Sequence, residues 1–410
     1  MSRKRIAVVG GGASGLAAAL TAAEYADVTV LERGDRVGKK LLQTGNGRCN
    51  LFNTGFSPAV LSSGSGDPGD ALCALAPAEV MKFFEDIGIL LSVRDGGLVY
   101  PHTNSAATVL DALRFAARER GVNIRCGFEA IRISRTDGGF EITPMDGEPF
   151  FADACVLACG GKAAPKTGSD GSGYALAAML GHSVTALTPA LVPLKCDPGF
   201  TAPLKGIRCR AHLTLLADDG SVVCTEDGEL QFTDYGISGI CVMQLSRQLY
   251  RGRTVEINFA APHTRAQVMR IIENARQNNR EVQDLLCGIV PKRVAQQLIR
   301  RALGKINLSD GAKMLTDAQL GAVCDACFAT RLEVRGTLSW DNAQVTAGGI
   351  PLGEVDLRTM RSRCVPWLAI TGEMLDCDGA CGGYNLGWAW TTGILAGRSF
   401  CAEAKNAENN

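Results

Sequence analysis

Gly10-x-Gly12-x-x-Gly15, with Ala13 and Ser14 in the gap, is the first pattern in this chain able to do chemistry. Glycines so spaced allow a tight strand-to-helix turn, bring backbone close to a pyrophosphate, and pack helix on strand. The following helix N-terminus offers free N–H groups and a positive dipole end to the phosphates. Glu32, with Arg33 beside it, stands about twenty residues on, where a carboxylate accepts hydrogen bonds from ribose hydroxyls and repels a 2′-phosphate. The pair therefore points to FAD or NAD rather than NADP. Gly64-x-Gly66-x-x-Gly69 has the same spacing, but it follows no predicted strand and contains Pro68, so it reads as a mobile surface loop.

Two further segments favour a flavin. Gly38 to Asn50 is loop-like and dense in Gly, Asn and basic residues, and it follows the ribose-side strand directly. Its glycines let amides approach a planar ring, while Lys40 and Arg48 balance phosphate or reduced-ring charge. Near the other end stand Thr371-Gly372-Glu373 and Gly383-Tyr384-Asn385-Leu386, followed by a helix with small residues at Ala389, Gly393 and Ala396. A helix starting near Leu386 would aim its positive end at the pyrimidine edge of a flavin. Arg48, Tyr384 and Glu373 are substrate-side candidates by proximity; no catalytic acid or base is assigned. Cys49 has no partner nearby in sequence, which disfavours a dithiol mechanism. Cys324-x-x-Cys327 and Cys377-x-x-x-Cys381 read as structural or loop thiols, and the histidines (His102, His182, His212, His263) show no metal-ligand spacing, so no metal is assigned.

The elements that must position these residues follow from periodicity. Lys4–Val9 reads as a buried strand, 13–23 as an Ala-rich helix and Val28–Leu31 as a second strand, together a βαβ unit. Pro77 starts one helix, and Ser105 and Gly121 bracket another. Strands are expected at Asn123–Arg125, Ala130–Ser134, Ala154–Ala158, 211–217, 221–225, 253–259 and 366–370, with amphipathic helices between Thr264 and Cys327.

The chain of 410 residues is long enough for several subdomains, and its 42 basic residues balance 42 acidic ones. That balance disfavours nucleic acid and membrane surfaces as partners, which need a basic field, and leaves a small-molecule substrate. No apolar stretch reaches membrane-spanning length. The absence of a recognisable leader makes the 16 cysteines read as reduced thiols and the location as cytoplasmic. No oligomeric state is assigned.

With these motifs in order, the sequence resembles the BaiN-like (aminoacetone-oxidase-like) NAD(P)/FAD-dependent oxidoreductase family. The resemblance rests on GGGASGLAAA (10–19), GKKLLQTGNGRCNLFN (38–53), the run 158–194, GELQFTDYGISGICVMQLSR (228–247), and the run 344–397. It implies an α/β fold: a Rossmann-like FAD-binding domain of the two-dinucleotide-binding-domain, fumarate-reductase-like kind, with an inserted β-barrel plus helical domain. The implied boundaries are 1–192 for the first part of the FAD domain, 193–341 for the insert (barrel part 193–262, helical part 263–330), and 342–410 for the second part. Carried over, Glu32 and Lys40 hold the adenosine and pyrophosphate side. Thr44, Gly45, Asn46, Arg48, Cys49 and Asn50 surround the flavin, and Ala130 offers backbone to adenine. Gly160 passes near the cofactor, while Glu373, Gly383, Asn385 and Leu386 close over the ring and ribityl chain. Cys159 departs from the family's usual Thr. The implied activity is hydride transfer through flavin N5, in one of two directions. One is an NAD(P)H-dependent reduction of an activated C=C bond in a steroid- or bile-acid-like molecule, NAD(P)H visiting transiently. The other is an amine oxidation that ends in peroxide. An RNA-modifying flavoprotein and a non-catalytic flavin binder are the remaining alternatives.

Overall fold

Ile6, Ala7, Val8 and Val9 are all buried, as a strand covered on both faces requires. They form β1 (Arg5–Val9), which runs parallel to β2 (Asp27–Glu32) on one side and to Ala154–Leu157 on the other. Asn123–Cys126 extends the parallel sheet beyond β2, and Leu368–Ile370 extends it beyond Ala154–Leu157. The sheet is thus built from both ends of the chain. In this computed structural model, which describes residues 3–408, the chain divides into one unit up to Pro189 and again from Ala343, and a second unit of Ala190–Asn342.

In the first unit, helix α1 (Ala13–Ala22) lies against the C-terminal helix Tyr384–Glu408. A methyl group at Gly393 would sit 2.4 Å from the Ser14 carbonyl oxygen, and one at Gly397 2.7 Å from that of Ala18. The small residues of α1 and of this helix therefore allow near-contact of two backbones. Pro77 opens the helix Pro77–Asp86, which buries Val80 and Phe84. Ser105 occupies the N-cap of Ala106–Glu119, although its hydroxyl makes no capping bond. Ala130–Thr136, Gly139–Pro144 and Phe150–Ala152 form a separate antiparallel sheet in this unit.

The segment 62–70, expected to be a mobile surface loop, is tied into the fold at several points. Leu61–Ser62 pairs with Asp378–Gly379, Ser65 Oγ accepts the Leu352 amide at 3.1 Å, and Gly69 starts the helix Gly69–Ala74. A two-residue strand has no periodicity to read, so the sequence conceals it. Its glycine pattern does follow a strand, but an antiparallel one, and the helix after it has only 6 residues.

The second unit carries its own apolar core. Its strands form one antiparallel sheet in the order Thr330–Glu333, Thr254–Asn258, Arg208–Leu216, Val222–Phe232, Gly236–Ser238, Leu194–Lys195, Gly336–Thr337. The first and last of these come from beyond the helices, so the sheet takes strands from both sides of the helical segment. Helices Arg265–Gln277 and Asp317–Phe328 each begin with a reciprocal Thr/Gln capping box, Thr264 with Gln267 and Thr316 with Gln319.

Gly393→Val should force α1 and the C-terminal helix apart, at a cost of about 1–3 kcal/mol or more for overpacking. The measurement is a chemical denaturation midpoint. An unchanged midpoint would mean that the close approach does not matter to stability.

Candidate flavin site

The end of β1 is crowded by backbone. A methyl group at Gly10 would lie 2.4 Å from the Ala158 carbonyl oxygen, and one at Gly15 2.0 Å from that of Gly10. Only glycine fits either place, and the result is that α1 starts directly at the strand end. Gly12 is different: a methyl group there would meet nothing within 4 Å. It is the N-cap of α1 without a side-chain capping bond, so the first helical amides are free to face a phosphate.

Glu32 closes β2 with both oxygens engaged, Oε2 accepting the Gly11 amide at 2.8 Å and Oε1 the Gly34 amide at 2.7 Å. The carboxylate is fixed beside the glycine turn, and each oxygen keeps a further lone pair for a ribose hydroxyl. Phe128 N–H donates to the Glu32 carbonyl at 2.9 Å, which brings Ala130, at the start of its strand, towards the same end of the sheet. Arg33 turns away: its guanidinium contacts Asp170 at 2.5 Å and Glu129 at 3.3 Å. The Asp170 bond holds Arg33 above its usual pKa. The expected role of the Arg33 side chain in cofactor binding is therefore revised to that of a clamp between carboxylates.

Lys40 and Glu373 meet across the chain at 2.6 Å. Glu373 Oε1 accepts the Thr346 amide at 2.8 Å, and Tyr174 donates its hydroxyl to the Glu373 carbonyl at 3.1 Å. Burial raises the Tyr174 phenol far above its usual pKa, so it stays protonated and keeps its O–H for this bond. Gly372, next to Glu373, is held by Thr392 Oγ1 on its amide at 2.9 Å and Trp388 Nε1 on its carbonyl at 3.1 Å. A methyl group at Gly372 would sit 2.6 Å from Ser14 Oγ, which places this turn directly beside the start of α1. Gly160 follows strand Ala154–Leu157 into the same region, with Ser169 Oγ 3.0 Å from where its methyl group would lie.

Gly45, Asn46 and Gly47 form a run of left-handed backbone with φ of 56°, 54° and 82°, and Cys49, after the right-handed Arg48, is left-handed again at 56°. Such a run turns successive amides towards one side. Thr44 spends its hydroxyl on the Leu41 carbonyl at 2.6 Å and its own carbonyl on the Cys49 amide at 3.0 Å, while Arg48 is exposed. Asn50 Oδ1 is buried without a hydrogen-bond partner and lies 3.0 Å from where a Gly383 methyl group would be. A buried orphan acceptor needs a donor, and a flavin ring edge is one.

Some expected contacts change character. Cys49 is buried, and burial pushes its thiol up to about 12, so only its backbone can face a ligand. Asn385 spends its amide on the loop before it, accepting from Gly379 N and donating to the Gly379 carbonyl at 2.7 Å, so it staples that loop rather than reaching out. Tyr384 stacks on Phe56 at 6.5 Å between ring centroids, and Leu386 lies in the first turn of the last helix. Tyr100 lies beside Gly45, with its ring 3.8 Å from a methyl group there; it and Thr346 were not singled out by sequence, because only the fold brings them in. Cys324 and Cys327 are buried on one helix, and Cys377 and Cys381 lie on the loop before the last helix, Cys377 buried and Cys381 half-buried. His182 joins Glu354 and Cys364 within 4.8 Å through space, which the histidine spacing could not reveal. Both its ring nitrogens are bonded, Nδ1 to Glu354 and Nε2 to Ser362, so it reads as a strut.

The donors and openings fit FAD: uncapped helix amides at an open glycine, a fixed ribose-side carboxylate, and an orphan acceptor beside a left-handed amide run. A family model described as the HI0933-like protein Rossmann domain matches residues 4–399. The chain belongs to this family. A 3-dehydro-bile acid delta(4,6)-reductase from Clostridium scindens is 41% identical over 96% of this chain and 98% of the relative. A ribosomal RNA dihydrouridine synthase from Escherichia coli is 28% identical over 96% of each chain. Among solved structures, a 3-ketosteroid-delta4-(5alpha)-dehydrogenase from Rhodococcus jostii RHA1 aligns at TM-score 0.48 and 16% identity over 97% of each chain. This HI0933-like protein is an FAD-dependent oxidoreductase of the BaiN-like kind, as its motifs imply.

Gly12→Ala should leave the unfolding midpoint unchanged, since the methyl group enters open space, while weakening FAD at least tenfold. Titration of apoprotein with FAD, read by flavin fluorescence, measures it. Undiminished affinity would remove the phosphates from this turn. Cys49 should resist iodoacetamide in native protein up to about pH 9, as mass spectrometry of the labelled peptide would report; rapid labelling would contradict its burial.

Proposed function

We propose that the protein is an NAD(P)H-dependent reductase that saturates an activated C=C bond in a small steroid- or bile-acid-like substrate, with NAD(P)H as a transient donor. The observation that carries this reading is the near-full-length relationship to the Clostridium scindens reductase. When bound, FAD supplies the two-electron chemistry, with hydride passing through its N5.

The protein's own residues supply position and charge. The α1 amides hold phosphate oxygens, and Glu32 fixes the ribose. The Lys40–Glu373 pair ties the segment after β2 to the C-terminal turn; such a charge-assisted bond is worth about 1.5–3 kcal/mol. Glu373 is tied by Lys40 and by the Thr346 amide, which suits an anchor of the site, and Arg48 and Tyr384 join it as substrate-side candidates. Cys49 is too buried and too weakly acidic to serve.

A second reading has one observation in its favour. The Escherichia coli relative makes dihydrouridine, and forming dihydrouridine from uridine also saturates a C=C bond conjugated to a carbonyl. The formal net charge of zero weighs against an RNA substrate.

Anaerobic stopped-flow spectroscopy tests both. Flavin absorbance should bleach rapidly with NADH or NADPH and return on adding a 3-oxo-Δ4 bile acid, but not on adding unmodified ribosomal RNA. Recovery with RNA alone would favour the second reading. Recovery only with oxygen would point to an oxidase, and no bleaching by either nucleotide would sink the NAD(P)H-dependent reductase.

A further inference from the structure

The second unit contains a cleft of about 810 Å³, and every residue lining it belongs to that unit. It opens among the start of strand Arg208–Leu216, the first turns of helix Arg265–Gln277, and the turn preceding helix Lys292–Leu303. One part of the lining is apolar and includes Phe259, Ile289 and Ile271, the last 41% exposed. Another part is cationic or imidazole: Arg210, Arg270 and His263. Among the described residues, no aspartate or glutamate lines the cleft.

The pairing of neighbouring arginines sharpens the contrast. On the same strand as Arg210, Arg208 contacts Glu229 at 3.1 Å. On the same helix as Arg270, Arg265 contacts Asp325 at 2.7 Å and Arg276 contacts Asp317 at 2.5 Å. Arg210 and Arg270, the two arginines at the cleft, have no carboxylate within ion-pair distance among the described residues. Guanidiniums outside any ion pair beside an apolar wall that Ile271 leaves partly exposed match an anion attached to a hydrocarbon body, since guanidinium binds carboxylate in a planar fork and the apolar wall gains by being covered. The volume lies within the range of sites that take one small organic molecule.

We propose that this cleft binds a small apolar carboxylate, its hydrocarbon body against Phe259, Ile271 and Ile289 and its carboxylate facing Arg210 and Arg270. The site needs neither the flavin nor turnover, so it stands or falls separately from the reductase reading. The test is isothermal titration of the full-length, FAD-loaded protein with deoxycholate below its micellar concentration, and with deoxycholate methyl ester as the neutral counterpart. The wild type should bind the acid more tightly than the ester. R210Q/R270Q, which changes two exposed side chains, should raise the acid's Kd at least tenfold and leave the ester's nearly unchanged. A double variant that binds the acid as tightly as the wild type, which attachment at the flavin site would also produce, overturns the proposal. Equal affinity for acid and ester does the same. Light scattering supplies the remaining arm: a dimer that Ile271→Glu converts to monomer would mean that a second copy covers the cleft, and would likewise overturn it.

Discussion

The approach of backbone to backbone at the end of β1 is the constraint on which the flavin-binding unit rests. Gly10 and Gly15 have no space for a side chain, and removing that bulk lets α1 begin directly where the strand stops. Helix direction, the open face at Gly12 and the reach of the Gly11 amide to Glu32 all follow from this one turn. The same economy of volume recurs along α1, where Gly393 and Gly397 admit the last helix to near-contact. A binding surface assembled from the first and last parts of the chain is thereby held by packing rather than by any covalent link.

Charge is distributed to preserve that surface. Lys40 and Glu373 are separated by most of the sequence yet share a proton-bearing contact of 2.6 Å, and Glu373 also caps the Thr346 amide. Arg33 is held by Asp170 and Glu129, two carboxylates from distant segments, so its side chain ties those segments together. The buried thiols contribute packing: burial raises Cys49, Cys159 and Cys327 to about 12, which leaves them protonated near neutrality. These three thiols are therefore poor nucleophiles near neutrality.

Motifs with a fixed covalent spacing were legible in the sequence. The strand–glycine turn–helix–strand–acid series needs only neighbouring residues to specify its geometry, so β1, α1, β2 and Glu32 could be placed from the sequence. Helices with a strong start signal, such as Pro77 and the Thr264 capping box, were readable for the same reason. Short strands were less so. Phe52–Asn53 and Leu61–Ser62 have 2 residues each and exist because distant partners, Leu98–Val99 and Asp378–Gly379, supply their hydrogen bonds.

What the sequence by itself determined is the family, the Rossmann-type beginning and the residue types that suit FAD, because these depend on local spacing and on steric rules that act within a few residues. Tertiary structure alone decided what each side chain does. It turned Arg33 into a clamp, Asn385 into a loop staple and Cys49 into buried packing, and it brought Thr346, Tyr174 and Tyr100 to positions beside motif residues. Among the described residues, it also left Arg210 and Arg270 outside any ion pair at one cleft while pairing Arg208, Arg265 and Arg276. The physical reason is that hydrogen-bond partnership, burial and charge compensation are set by contacts between residues far apart in the chain, and no local pattern encodes which of two available partners will be within 3 Å.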